Sequence, residues 1–312
     1  MIKALQRRFA LSRQGAVDLI KGCIACVVQD ISFMIPVGLL YTFVMDMVGG
    51  GVNGSRIAFY AAGVLACLCL IFAATYFQYN ATYLATYVES GVRRISLAEQ
   101  LRKIPLSFFG KKDLADLTSS IMGDCATLET AFSHYVPALA GSLVSTTLIS
   151  VCLFVYDWRM ALAAVWVLPV AFTITLFSAR IQEYFNQKSA EANVALESGV
   201  QECMESLQDL KANNAEEAYL KGLNEKIDFV EKRHIITELG TALFVVSSTL
   251  ILKFGIATVA LAGSVLLVQG EIEISMFFLF LLVASRLYAP LEGALQNLAA
   301  VISTKTNIDR MN

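Results

Sequence analysis

Six runs of this sequence stay apolar long enough to cross a bilayer: Leu19–Val48, Ile57–Tyr79, Pro137–Tyr156, Met160–Ala179, Leu243–Val268 and Ile274–Leu295. A helix rises about 1.5 Å per residue, so ~20 residues match the ~30 Å hydrocarbon core. In hydrocarbon every backbone N–H and C=O must be satisfied within the protein, which leaves helices and closed β-barrels as the spanning structures. The runs are continuously apolar, without the period-two alternation of barrel strands. The sequence therefore predicts an all-α, polytopic membrane protein with six long transmembrane helices. Composition agrees: 56% of the 312 residues are hydrophobic and 16% charged, against about 25% charged in soluble domains. A soluble helical bundle is the alternative, and the length of the runs argues against it.

Formal net charge is -2, so the chain as a whole offers no positive field for nucleic acid. Lys and Arg are placed unevenly, and in short loops that bias puts the basic side in the cytoplasm. Lys3, Arg7, Arg8, Arg13 and Lys21 precede or open the first run; Arg93, Arg94, Arg102, Lys103, Lys111 and Lys112 follow the second. The opposite connections are short and poor in basic residues: Asp46–Arg56, Asp157–Arg159 and Gln269–Glu273. Both termini and the two long connections, 80–136 and 180–242, are thus expected in the cytoplasm of a multi-pass plasma-membrane protein. Within 1–13, Ile2, Leu5 and Phe9 share one helical face and Lys3, Arg7 and Arg8 lie off it, the pattern of an interfacial helix; a frayed basic tail is the alternative. No small-residue cleavage pattern follows a short apolar core, so no signal peptide is expected. The seven Cys are scattered. Cys23 and Cys26 make one CxxC without a second pair or a nearby His, so neither a disulfide nor a metal site is assigned.

The long connections keep a helical pattern. Val88, Val92, Ile95, Ala98 and Leu101 recur at three- and four-residue steps, as do Leu196, Val200, Cys203, Leu207 and Leu210, and then Leu220, Leu223, Ile227 and Val230. Each is a polar helix with one apolar stripe. A helix from Arg159 to about Leu210 would be ~75 Å long, more than twice the hydrocarbon thickness, so these helices are expected to outrun the membrane. Two polar stretches interrupt them: "LRKIPLSFFGKKDLADLTSSIMGD" at Leu101–Asp124, and "KANNAEE" at Lys211–Glu217, where Glu216 and Glu217 suit the first turn of a new helix.

These stretches, with "YDWRMALAAVWVLP" at Tyr156–Pro169 and "RLYAPLEGALQNLAAVISTKTNIDR" at Arg286–Arg310, resemble in order and spacing the transmembrane domain of an exporter-type ABC transporter. The resemblance covers nearly the whole chain. It implies two short coupling helices, near Gly123–Glu129 and near Asn213–Glu217, that fit grooves on nucleotide-binding domains. Gly123, Asp124 and Glu129 would serve the first contact, and Asn213, Glu216 and Glu217 the second, with Pro105, Phe108 and Phe109 setting the bend before the first. It also implies a second transmembrane domain, in a homo- or heterodimer, and ATP with Mg on the nucleotide-binding domains. No G-x-x-x-x-G-K-[ST] loop and no "LSGGQ" occur in the chain, so this polypeptide is not expected to hydrolyse ATP in the family's manner, nor to hold a cofactor. Family members begin a linker where this chain ends in "NIDRMN". The ATPase domain is therefore expected to have been removed or to sit on a separate polypeptide.

Four ionisable residues fall inside the runs. Counted from the outer end of each span, Asp30 and Glu292 lie ~27 Å deep, Lys253 ~22 Å and Arg286 ~18 Å, all in the inner half of the bilayer. Phe278, Leu282, Arg286 and Ala289 share one helical stripe. Charges at such depth face cavities or one another. Lys253 and Arg286 are therefore candidates to touch an anionic or amphipathic substrate, and the alternative is pairing with Asp30 or Glu292. His134 and His234 lie far apart with no nucleophile or metal ligand beside them, and no catalytic residue is assigned. Pro36, Pro137, Pro169 and Pro290 are expected to bend helices. The function expected is the permease domain of an ATP-driven transporter, working by alternating access in a membrane of lipid on a small-molecule or amphipathic substrate. Three alternatives stand beside it. "IMGDC" and "SHYVP" resemble members that handle siderophores, some of which import on this fold. A membrane enzyme would need a convergent nucleophile, base or metal set, which the sequence does not offer. A regulatory or scaffold protein would keep the body of a transporter without moving solute.

Overall fold

The structure, a computed structural model, describes residues 11–50, 54–103, 105, 123, 125–296 and 298. Most of the expected interfacial helix, Asp124, Phe108 and Phe109 lie outside these, as does the side chain of Glu216. Among the described residues the chain is helical and contains no strand. In chain order the helices are α1 Arg13–Ser32, α2 Ile35–Val48, α3 Gly54–Tyr79, α4 Ala85–Lys103, α5 Cys125–Thr130, α6 Val136–Tyr156, α7 Trp158–Val165, α8 Val167–Glu205, α9 Leu207–Ala212, α10 Glu216–Val268, α11 Ile274–Leu287 and α12 Ala289–Gln296. Among the described residues six helical stretches are long and apolar enough to cross a membrane: Arg13–Val48, Arg56–Lys103, Cys125–Tyr156, Trp158–Ser178, Glu217–Val268 and Ile274–Leu295. The protein is a multi-pass α-helical membrane protein. The chain divides into two compact units, Met1–Val170 with Ile251–Asn312, and Ala171–Leu250.

The breaks within spans have local causes. The first span is interrupted at Phe33 and Met34, the fourth at Trp166 and the sixth at Tyr288. Each break precedes a proline by two or three residues: Pro36, Pro169 and Pro290. Proline lacks the N–H for the i−4 carbonyl and pushes the residue before it out of helical geometry, so the helix yields just upstream. Pro137 sits at the start of α6, two residues after the π-helical turn Ala131–Tyr135. Two further irregularities are five-residue π-helical turns, Asn80–Leu84 between α3 and α4 and Ala131–Tyr135 between α5 and α6. They meet: Tyr83 Oη and His134 Nδ1 are 2.9 Å apart, and the two rings stand edge to face.

In the first unit, α1 is the element that neighbours pack around. Gly141 of α6 lies so close to Cys26 that a Cβ there would approach the Cys26 Cβ to 2.5 Å. Small residues of this kind let membrane helices pack backbone to backbone. One turn earlier on α1, Gly22 meets the buried Thr82 of the π-helical turn. The start of α1 is pinned to α4: Ser12 N donates to Glu89 Oε1 at 2.7 Å and Ser12 Oγ to Glu89 Oε2 at 2.6 Å, while Ser12 Oγ accepts from Gly15 N and caps the helix. Glu89 therefore also places a carboxylate at the positive end of the α1 dipole. Leu11, Ala16, Leu128 and Phe132 close a small apolar core beside this cap.

A second junction ties α7, α10 and the α11–α12 break. The last carbonyls of a helix have no partner within it. At the end of α7, Thr258 Oγ1 donates to Ala163 O at 2.7 Å and Tyr288 Oη to Ala164 O at 2.8 Å. Trp166 Nε1 donates in turn to Thr258 Oγ1 at 3.1 Å. Tyr288 reaches in because residue 255 is Gly; a Cβ there would collide with the phenol ring and with Val167.

The second unit is a helical pair made from parts of α8 and α10 with α9 between them. Tyr219 Oη donates to Gly199 O at 3.0 Å and to Glu202 Oε2 at 3.2 Å. His234 bridges back to Asn193 Oδ1 at 3.1 Å and Ser189 Oγ at 3.4 Å. These bonds fix the register of the pair, which gives His234 a structural setting.

Candidate functional site

Two regions collect the residues singled out by the sequence. The first is a charged face on α10, α11 and α12. In α11, Phe280, Ala284 and Leu287 are fully buried. At ~100° per residue, Phe278, Leu282, Ser285 and Arg286 fall on the opposite side of that helix. Phe278, Ser285, Arg286 and Ala289 are exposed and Leu282 is half-buried. Lys253 Nζ of α10 stands 3.8 Å from Glu292 Oε1 of α12. Asp30 is not joined to either cation among the described residues; its Oδ2 accepts from Ser145 Oγ of α6 at 2.9 Å. The structure thus brings Lys253 to Glu292, Asp30 to Ser145, and leaves the Arg286 side chain exposed without a partner among the described residues. Charged side chains at this depth face protein interior or water rather than lipid.

The second region is the turn between α8 and α10. The helix breaks at Ser206, resumes as the one-and-a-half-turn α9, and ends at Asn213. Asn214 has φ of 50°, the left-handed region that Asn tolerates best among non-glycine residues. It closes the helix: Ala215 N reaches back to Leu210 O at 3.0 Å, and Asn213 Nδ2 donates to Asp209 O at 2.8 Å. Gln208, Asp209, Lys211, Asn213, Asn214 and Glu217 are all exposed. This short helix, Leu207–Ala212, lies a few residues before the Asn213–Glu217 stretch singled out in the sequence. The sequence signal for it is weak, since the break at Ser206 falls inside an unbroken helical pattern.

Of the other expected contact residues, Gly123 is exposed. Glu129 is turned into the protein: its Oε2 accepts from Ser90 Oγ at 2.6 Å and from Arg94 Nη2 at 3.1 Å. The short turns between spans carry ion pairs of their own. Asp46 takes Arg56 at 2.8 Å and the Tyr60 hydroxyl at 2.6 Å, and Arg159 pairs with Glu271. Among the described residues no three His, Cys, Asp or Glu side chains come together as metal ligands.

Among the described residues, six apolar spans, three of them broken just upstream of a proline, define a polytopic helical membrane domain. The chain belongs to the ABC transporter transmembrane region family, whose model matches residues 19–291. It is also 26% identical over 114 residues to the mycobactin import ATP-binding/permease protein IrtA of Mycolicibacterium smegmatis (strain ATCC 700084 / mc(2)155). That match covers 33% of this chain and 13% of the relative, so the chain spans a small part of the relative's length.

Proposed function

We propose that this chain is the permease half-unit of an ATP-driven transporter that pairs with a second transmembrane domain and works by alternating access. Nucleotide-binding domains, which hold the ATP and Mg, dock on the α9 turn and on the segment around Gly123. The termini and the long arms are then cytoplasmic, in keeping with the Lys and Arg bias. One observation carries this reading. Helices of 39 and 53 residues, α8 and α10, run well beyond the ~20 residues a bilayer needs and are joined by a turn in which Gln208, Asp209, Lys211, Asn213 and Asn214 are exposed. A turn so built offers backbone and charge to a partner and does nothing for the membrane body.

On this reading the coupling contacts extend onto α9. Asp209, Lys211 and Gln208 of α9 join Asn213 and Glu217 at the tip, while Glu129 acts behind the first contact by holding α5 to α4. The Phe278, Leu282 and Arg286 face of α11 lines the substrate path, beside the Lys253–Glu292 pair. Import is a second reading, favoured by the match to a protein named for mycobactin import. The test is ATP turnover by the complete assembly in lipid, with and without candidate substrates. Asp209→Ala with Lys211→Ala is expected to leave the membrane domain folded and to reduce stimulated turnover about tenfold or more, the size of one or two lost charge-assisted contacts. Full stimulation in that double variant would reject the tip as the coupling surface.

A further inference from the structure

The four charges in the membrane face sum to zero, but they do not pair off. Lys253 is matched by Glu292, and Asp30 is held by Ser145. Arg286 has neither a carboxylate nor an acceptor for its side chain among the described residues. A lysine in that position can lose its proton to relieve the cost; a guanidinium cannot. An exposed, permanently charged side chain within a span therefore requires an anion or water in front of it. Beyond Ser285, what lies along the same face is apolar. Leu282 and Phe278 stand one and two turns from Arg286 towards the short turns, ~6 and ~12 Å along the axis. The face reads as a cation at one end of an oily track.

We propose that Arg286 is the anion-recognition residue of the transport path, and that its ligand is an amphiphile. An anionic head group (carboxylate, phosphate or sulfonate) sits on the guanidinium fork, and the apolar body lies along Leu282 and Phe278. The inference rests on the permease reading and goes beyond it by assigning the charge of the ligand, its orientation and the residue that selects it. Arg suits the task because its planar fork meets two oxygens of such a group at once. The Lys253–Glu292 pair plays no part in selection; it holds α10 to α12 beside the site.

The experiment compares dansyl-labelled undecanoic acid with its methyl ester, which differ in the negative charge. Binding is titrated on the assembled transporter in nanodiscs of phosphatidylcholine. The acid is expected to bind about tenfold or more tightly than the ester, the increment of a charge-assisted hydrogen bond formed away from water. Arg286→Gln should bring the two affinities together, Arg286→Lys should keep a reduced preference, and Lys253→Gln should leave the preference intact. Equal affinities in the unaltered assembly overturn the proposal, as does a preference that survives Arg286→Gln. If Arg286→Gln does not assemble, the unaltered comparison and Arg286→Lys still decide. A second set of nanodiscs containing phosphatidylglycerol locates the source of the anion. Competition with the acid assigns the site to a lipid head group, and undiminished acid binding assigns it to a soluble amphiphile. ATP turnover in the same samples separates the two levels of inference. Turnover without acid preference removes the role of Arg286 alone. Acid preference without turnover leaves the anion site and removes the permease reading.

Discussion

Tyr288 shows how one side chain holds a broken helix together. Its hydroxyl donates to Ala164 O, and the bond is buried. Tyr288→Phe removes the donor and leaves a buried carbonyl bare, at a cost of about 1–3 kcal/mol. Thermal unfolding of the purified protein in lipid should show that loss, with transport selectivity unchanged. Gly255→Ala should be worse, because the added methyl enters the space of the phenol and the Val167 side chain. Glu129 makes the second prediction at this scale. With Ser90 and Arg94 on its carboxylate, Glu129→Gln is expected to cost about 1 kcal/mol of stability, the bond to a part-exposed Arg being discounted for screening. Affinity for the nucleotide-binding domains, measured by titration, should not change. A tenfold fall in that affinity with stability intact would return Glu129 to the contact surface.

Elements were legible in the sequence to the extent that their physics is local. Six apolar runs, the membrane class and the family follow from hydrophobicity and motif order. The breaks at Phe33–Met34, Trp166 and Tyr288 follow from prolines a few residues downstream. The π-helical turns at Asn80–Leu84 and Ala131–Tyr135 were not legible, because an extra residue per turn is stabilised by a partner helix, here through Tyr83 and His134. The same holds for the site. Depth along each span placed four charges at similar heights, but the division into Lys253 with Glu292, Asp30 with Ser145 and a solitary Arg286 depends on helix rotation, which periodicity gives only roughly. The α9 turn lies between these cases. "NN" announced it, and the left-handed Asn214 explains why. Asn214→Gly should be neutral or slightly stabilising, since glycine adopts that φ freely, whereas Asn214→Ala should cost about 1 kcal/mol. Hydrogen exchange over 207–217 reports either change locally. Equal exchange in both variants would mean the turn is not held in this conformation.

At the scale of the whole molecule, the question is what covers the apolar stripes of the arms. In the first unit Val88, Val92 and Ile95 recur at i, i+4 and i+7 on α4 and are 69%, 50% and 63% exposed. In the second unit Val200, Met204 and Leu207 are exposed in the same pattern across the end of α8 and the start of α9. Lipid does not account for them if the arms stand in the cytoplasm, and apolar rows in water mark an interface. On the permease reading the covering surface is a second transmembrane domain, with each stripe buried against the arms of the other half. Val92→Asp and Val200→Asp replace a branched apolar contact by a charge. Losing about 1.5–3 kcal/mol of burial at either position should weaken dimer formation about ten- to hundredfold. Mass photometry of nanodisc-reconstituted protein over a dilution series measures that change directly. Leu65 and Phe72, exposed within the second span, serve as controls, because exchange for another apolar residue on a lipid-facing surface should leave the dimer as it was. Dimers that persist at the same dilution with aspartate at 92 and 200 would show that the stripes face something other than a second copy or its counterpart.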